Sequence, residues 1–116
     1  METPEYNVRF LQEAFNDLEE IVLYIAEDNP AGAMRMHDEI IEKANSLSTC
    51  PRRGRPVPDI KMCNAGYRIL FIRSYMAFYR IIERNVFIYR VIHGATNYPL
   101  LYEKMLQDTD DIPNTL

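Results

Sequence analysis

At 116 residues the chain can form one domain with a sizeable core and is too short for two. Its hydrophobic fraction of 47% and its eight tyrosines exclude an intrinsically disordered chain. No stretch approaches the roughly 20 apolar residues of a membrane span, and the acidic start at Met1 lacks the apolar run of a signal peptide. We therefore expect a folded cytoplasmic protein without a membrane partner.

The charge is unevenly distributed along the chain, although the formal net charge is −4. Residues 52–90 hold nine Lys or Arg and only two acids, a local balance of +7. Residues 1–51 hold eleven acids against three bases, and residues 91–116 hold four acids against one base. This asymmetry indicates a basic region that meets an anion or an acidic partner.

The first half of the chain predicts one strand and two helices. Residues 6–10 alternate apolar and polar side chains, as an edge strand does. Apolar residues then recur every three or four positions over residues 11–26, with acids on the opposite face, which predicts an amphipathic helix. Asn29-Pro30 ends that helix and begins the next, because proline suits a first helical position and asparagine caps it. Apolar residues at helical spacing then recur as far as Cys50-Pro51, which predicts a second amphipathic helix. The two helices, joined at Asn29-Pro30, should form a hairpin.

The second half predicts a sheet. Residues 51–66 are rich in proline, glycine and arginine and predict a loop, and residues 67–73, 75–82 and 86–93 predict three strands joined by tight turns. Residues 98–106 have weak helical character. The expected fold is therefore α+β: a twisted antiparallel sheet in the order β-α-α-β-β-β, a two-helix hairpin packed on one face and a short C-terminal helix. We expect a single domain over residues 1–106 and a disordered acidic tail over residues 107–116.

The two cysteines, Cys50 and Cys63, lie 13 positions apart in the predicted loop without a companion histidine. A zinc site needs about four converging ligands, so we expect reduced thiols rather than a metal site or a disulfide. We expect neither a metal nor a cofactor.

Five short motifs occur in the same order and spacing as in a known family. They are Ala14-x-x-Asp17-Leu18, Pro51-x-x-Gly54, Tyr67-Arg68-Ile69-Leu70, Phe78-Tyr79-Arg80-Ile81 and Arg90-Val91-x-His93-Gly94-Ala95. Together they resemble the RelE/ParE superfamily of bacterial toxins over about residues 6–105. The resemblance implies the toxin of a type II toxin–antitoxin, or plasmid stabilisation, system with a cognate antitoxin as partner. Within that superfamily one branch cleaves messenger RNA on the ribosome, and the other inhibits DNA gyrase without being a nuclease.

The residues favour the ParE-like, gyrase-directed branch. A nuclease would use His93 as general acid or base, because the pKa of an unperturbed histidine is about 6.5, together with Arg90, Arg68 and Tyr98. However, the motif around His93 is similar to that of the gyrase-directed branch, and Met76 stands where nuclease relatives carry an arginine. Residues 96–97 are Thr-Asn where the gyrase branch usually has an arginine. A ribosome-dependent mRNA endonuclease and a non-toxic antitoxin-binding relic therefore stay open as alternatives.

The basic residues of the predicted loop and sheet are the expected contacts of the antitoxin or the target. They are Arg52, Arg53, Arg55, Lys61, Arg68, Arg80 and Arg90. We expect them on an open face and groove of the sheet, away from the helical hairpin, where they could also be no more than solvated surface. The antitoxin's C-terminal segment would bind there as a helix and as an added strand. On this hypothesis Arg68→Glu or Arg90→Glu weakens antitoxin binding without unfolding the domain.

Overall fold

The computed structural model describes residues 5–94 and 96–107 of the chain. Its elements are β1 (Asn7–Phe10), α1 (Gln12–Ala26), α2 (Pro30–Asn45), a 3₁₀ turn (Ser46–Ser48), β2 (Arg55–Pro56), α3 (Ile60–Asn64), β3 (Tyr67–Ile72), β4 (Tyr75–Ile82), β5 (Asn85–His93) and α4 (Tyr98–Gln107). None of the described helices is long and apolar enough to cross a membrane. Gln107, the first residue of the predicted tail, is the last residue of α4, and the rest of that predicted tail lies outside the described residues.

The strands form one sheet in the order β1-β5-β4-β3-β2. β2 to β5 pair antiparallel, whereas β1 pairs parallel with β5 in the register Val8 opposite Val86. The predicted α+β fold is confirmed, including the edge position of the first strand, the hairpin and the C-terminal helix. The parallel pairing was not predicted, because it joins segments nearly 80 residues apart and leaves no local pattern.

The junction between α1 and α2 follows from its sequence. The Asn29 side chain accepts a hydrogen bond from Gly32 N at 2.9 Å, and Pro30 is the first residue of α2.

The hairpin packs on one face of the sheet through small and branched side chains, and Ile40 is 0% exposed. Burying such a side chain contributes about 1.5–3 kcal/mol. This first core comprises Ala14, Leu18, Ile40, Ala44, Leu47, Leu70, Ile72, Ala77, Tyr79, Val86, Ile88 and Val91.

A second core lies on the opposite face of the sheet, under α3 and α4. It comprises Val57, Met62, Tyr67, Ile69, Met76, Phe78, Phe87, Tyr89, Ile92, Leu101 and Met105. The predicted open face is therefore wrong over much of its area, because two short helices cover it. The expectation of a plain loop over residues 51–66 is also wrong: it contains β2 and α3. These elements are too short to show a period, and α3 depends on a cap from Asp59 to Met62 N at 2.9 Å.

Candidate functional site

The loop after α2 is fastened to the sheet by a buried tyrosine. Tyr79 is 0% exposed, and its hydroxyl donates to Pro51 O at 2.8 Å while accepting from Gly54 N at 3.0 Å. Gly54 is packed so closely that a Cβ there would come within 2.5 Å of Ile69 O. These contacts hold the backbone of the loop and leave Arg52 and its neighbour Arg53 exposed to solvent.

Arg68 supports the same loop from β3. Its Nη2 donates to Gly54 O at 2.7 Å and to Arg52 O at 3.3 Å, and its Nε is buried without a hydrogen-bond partner among the described residues. Arg68 shares the hairpin side of the sheet with Leu70, because Tyr67 on the alternate side packs in the second core. Its predicted position on an open face away from the hairpin is therefore wrong.

Arg90 also faces the hairpin. Its Nε and Nη2 donate to the two carboxylate oxygens of Asp17 on α1 at 2.7 and 3.0 Å, and Glu13 lies 3.8 Å away. The hydrogen bond to Asp17, together with the charges of Asp17 and Glu13, raises the pKa of Arg90 despite its partial burial. The predicted open-face position of Arg90 is wrong, because a register shift between β4 and β5 turns both Arg90 and Val91 towards α1.

Arg80 lies on the side of the sheet opposite the hairpin, as does Arg55, which pairs with Ile69. Its guanidinium lies over the rings of Tyr67 and Tyr89, 5.5 and 5.9 Å from their centroids, and donates to the Tyr89 hydroxyl at 3.1 Å. Phe87 is its cross-strand neighbour on β5, and Arg9 of β1 flanks Phe87 on the other side. Arg80 is half-buried, and its planar group is held by cation–π contacts.

The remaining predicted contacts are separated from one another. Arg55 on the short edge strand β2 lies 5.0 Å above the ring of Phe71, which is 45% exposed. Lys61 belongs to α3 and lines a cavity of about 890 Å³ between α3 and α4, beside Asp59 and Glu103. The predicted basic residues therefore do not form one continuous groove.

A second cavity, of about 550 Å³, lies between α1 and the end of β5. It is lined by Asp17, Glu20, Ile21, Tyr24, Tyr75, Arg90, Val91, Ile92, His93, Thr96 and Leu101. The rings of Tyr75 and His93 meet edge to face with their centroids 5.4 Å apart. Burial, and then the neighbouring Tyr24, raise the pKa of Tyr75. Tyr98 lies near this cavity, and its hydroxyl donates to Gly94 O at 2.7 Å.

The four predicted catalytic residues are not brought into one site. Arg90 and His93 line the same cavity, with Tyr98 nearby. Arg68 pairs with Tyr79 on β4, whereas His93 pairs with Tyr75. Those β4 positions are four residues apart, which corresponds to roughly 13 Å along a strand. A phosphate group is too small to bridge that distance.

Sequence reasoning missed the carboxylates of this region. Asp17 lies in the Ala14-x-x-Asp17-Leu18 motif, yet its partner Arg90 is 73 residues away. Glu20 occurs in an acidic helix face that reads as solvated surface. The motif containing Asp17 was the available signal, but helical spacing alone does not show which strand a side chain meets.

The comparisons with known proteins agree on one group. The sequence model described as the ParE toxin of the type II toxin-antitoxin system parDE matches residues 8–98. A solved chromosomal ParDE toxin–antitoxin system from P. aeruginosa is similar with 20% identity and a TM-score of 0.64, over 77% of this chain and 96% of that chain. The toxin–antitoxin complex RelBE2 from Mycobacterium tuberculosis is similar with 27% identity and a TM-score of 0.60, over 82% of this chain and 98% of that chain. No curated protein matches.

Proposed function

The chain belongs to the ParE toxin family of type II toxin–antitoxin systems, and we propose that it inhibits growth by contact with DNA gyrase and is neutralised by a cognate antitoxin. The family match over residues 8–98 supports the ParE-like branch. The two solved structures described above are toxin–antitoxin systems, which supports an antitoxin as the physiological partner.

The charge of the cavity beside His93 is the observation that favours inhibition by protein contact over RNA cleavage. Arg90 is the cationic side chain among the described residues that line it, and its guanidinium is occupied by Asp17. Glu20 adds a second carboxylate. Cleavage of RNA needs cations that stabilise the negative charge on the phosphorus centre, whereas carboxylates repel the phosphate. The cavity therefore suits a protein contact better than a scissile phosphate.

Two measurements test the proposal. Inducing the chain alone in bacteria, with pulse-labelling of DNA and protein, should show that DNA synthesis falls first. The purified protein should also inhibit supercoiling by purified gyrase, and His93→Ala should retain that inhibition because His93 has no chemical role here. An early fall in protein synthesis with cut messages, and no effect on gyrase, would contradict it.

The second candidate function is the ribosome-dependent mRNA endonuclease. It is favoured by the fact that His93 and Glu20 line the same cavity, since an acid and a base are what the reaction requires. On this alternative, His93→Ala and Glu20→Gln both abolish cleavage on translating ribosomes while circular dichroism shows an intact fold. If neither DNA synthesis nor protein synthesis falls after induction but the antitoxin still binds, the chain is a non-toxic antitoxin-binding relic.

The antitoxin would add a strand at one of the two edges of the sheet that the described residues form. β1 is the four-residue edge of the sheet, and β2 at the other edge has two residues. Because a longer edge offers more backbone groups, an extended segment would pair with β1. A proline replacing Val8, whose backbone N–H points away from β5 in the parallel register, should weaken the complex by removing one such donor. Unchanged antitoxin affinity in a folded Val8→Pro variant would exclude pairing at β1.

A further inference from the structure

Three exposed arginines surround an open concavity of about 700 Å³ at the end of the sheet where β1 begins. It is lined by Tyr6, Cys50, Pro51, Arg52, Arg53 and Arg84. No carboxylate is among the described residues that line it, and none of its arginines forms an ion pair in the part of the chain that the structure describes. Arg84 and Tyr6 were not among the residues predicted from the sequence.

The backbone around the concavity is held in place from two sides. Tyr79 and Arg68 fasten the loop that carries Arg52 and Arg53. Arg84 lies in the two-residue turn between β4 and β5, where its carbonyl oxygen accepts from Asn7 N at 2.8 Å.

Tyr6 connects the two sides. The Arg84 guanidinium lies 5.4 Å above the centre of the Tyr6 ring, and Tyr6 N donates to Ser48 O at 2.8 Å. The backbone positions from which the arginines extend are thus set before any ligand binds, which lowers the entropy lost on binding.

We propose that this concavity binds an acidic stretch of the cognate antitoxin, an inference that rests on the proposed neutralisation of the toxin by that partner. A guanidinium group donates two parallel hydrogen bonds to a carboxylate, and three such groups around one concavity suit several successive Asp or Glu side chains. The partner would displace water from guanidinium groups that form no ion pair among the described residues.

A short acidic peptide fits this surface better than a nucleic acid. Arg53 also lines a neighbouring cavity, whose lining includes the carboxylates of Asp38, Glu39 and Glu42. The chain as a whole carries a net charge of −4. The phosphates of a nucleic-acid strand that extended beyond the concavity would meet those carboxylates, whereas a peptide can place neutral or basic residues there.

The test uses a fluorescent octaglutamate peptide, titrated with the full-length protein at low ionic strength and followed by anisotropy. We expect Arg84→Glu and Arg53→Glu each to weaken binding about tenfold or more. The matched control is Lys104→Glu, at an exposed lysine on α4 that lines neither this concavity nor the adjoining cavity; it changes the net charge equally and should alter affinity by less than about twofold. An equal loss in Lys104→Glu would overturn the site, because it would show a net-charge effect.

Two further measurements separate this inference from the proposed function. A single-stranded oligothymidine of the same length should bind the protein more weakly than the peptide does. If it binds more tightly and Arg84→Glu abolishes that binding, the peptide proposal is overturned in favour of nucleic acid.

The second measurement uses the antitoxin encoded beside the toxin, which should bind Arg84→Glu at least about tenfold more weakly than the parent. Equal affinity of the antitoxin for the variant and the parent would overturn the inference and leave the proposed function intact. If the antitoxin neither binds nor neutralises the parent, the proposed function fails, while the peptide titration still decides whether the concavity binds acidic chains.

Discussion

Asp17 on α1 and Arg90 on β5 form a bidentate ion pair that ties the helical hairpin to the sheet. The two guanidinium hydrogen bonds measure 2.7 and 3.0 Å, and Val91 N donates a third to the same carboxylate at 3.0 Å. The side chains are 12% and 23% exposed, so solvent screens them only partly. The pair lies at the register shift of β5, where a strand alone would leave a backbone donor unsatisfied.

Arg90→Ala should lower the free energy of unfolding by about 2 kcal/mol, because it leaves the largely buried Asp17 carboxylate without its counter-ion. The loss should be smaller than the 3–5 kcal/mol of a fully buried pair, since Arg90 retains some contact with water. Urea denaturation measures the change. The control is Arg73→Ala, whose ion pair with Glu39 is solvent-exposed and should contribute little.

Arg90→Glu should be more damaging than Arg90→Ala. It would place a third carboxylate beside Asp17 and Glu13, and like charges in a partly desolvated site repel strongly. We therefore expect this variant to lose cooperative unfolding, which reverses the expectation from sequence that it would stay folded. A cooperative urea transition close to that of the parent would show that the pair does not stabilise the fold.

Gly54→Ala should destabilise the fold by about 1–3 kcal/mol, the usual range for an overpacked site. A Cβ at Gly54 would meet Ile69 O at 2.5 Å and the Tyr79 hydroxyl at 2.7 Å. Gly94→Ala is the matched control, because its nearest atom would be Ser74 O at 3.6 Å, an ordinary contact. Thermal denaturation of both variants measures the difference, and equal melting temperatures would contradict the close packing of the loop.

Tyr79→Phe should cost about 1–3 kcal/mol, because it leaves the buried Gly54 N–H and the Pro51 carbonyl without their partner. Tyr98→Phe removes a hydroxyl whose acceptor, Gly94 O, is exposed to water, so its effect should stay within about 0.5 kcal/mol. Amide hydrogen exchange at Gly54 should also accelerate in Tyr79→Phe alone. Protection equal to that of the parent would mean that the tyrosine does not hold the loop.

The fold should lose stability at alkaline pH through two tyrosines. Burial, and then Tyr24, raise the pKa of Tyr75, while burial, Tyr98 and Asp59 raise that of Tyr102. A group whose pKa is higher when folded stabilises fully below its unfolded pKa, about 10 for tyrosine, and that contribution disappears as the pH rises through the folded pKa. The urea midpoint should therefore fall above about pH 10, and less so with phenylalanine at both positions. An identical alkaline loss in that double variant would contradict this account.

The elements and their order could be predicted because their signals are local. Period and capping within a few residues identified α1, α2 and the Asn29-Pro30 junction between them. Tight turns left antiparallel pairing as the arrangement for β3, β4 and β5. The five motifs placed the chain in its superfamily, and the family match over residues 8–98 agrees with them. For these features, each residue's neighbours along the chain are also its neighbours in space.

The positions of the candidate contacts depended on packing between distant segments. Alternation along a strand separates its two faces, but it does not say which helix covers each one. α3 and α4 therefore cover the face that was expected to be open, and Arg90 meets Asp17 from 73 residues away. The concavity at Tyr6 and Arg84 likewise arises where a loop, a turn and an edge strand converge. Such sites are set by tertiary contacts, because charges that come together in space need share no pattern along the chain.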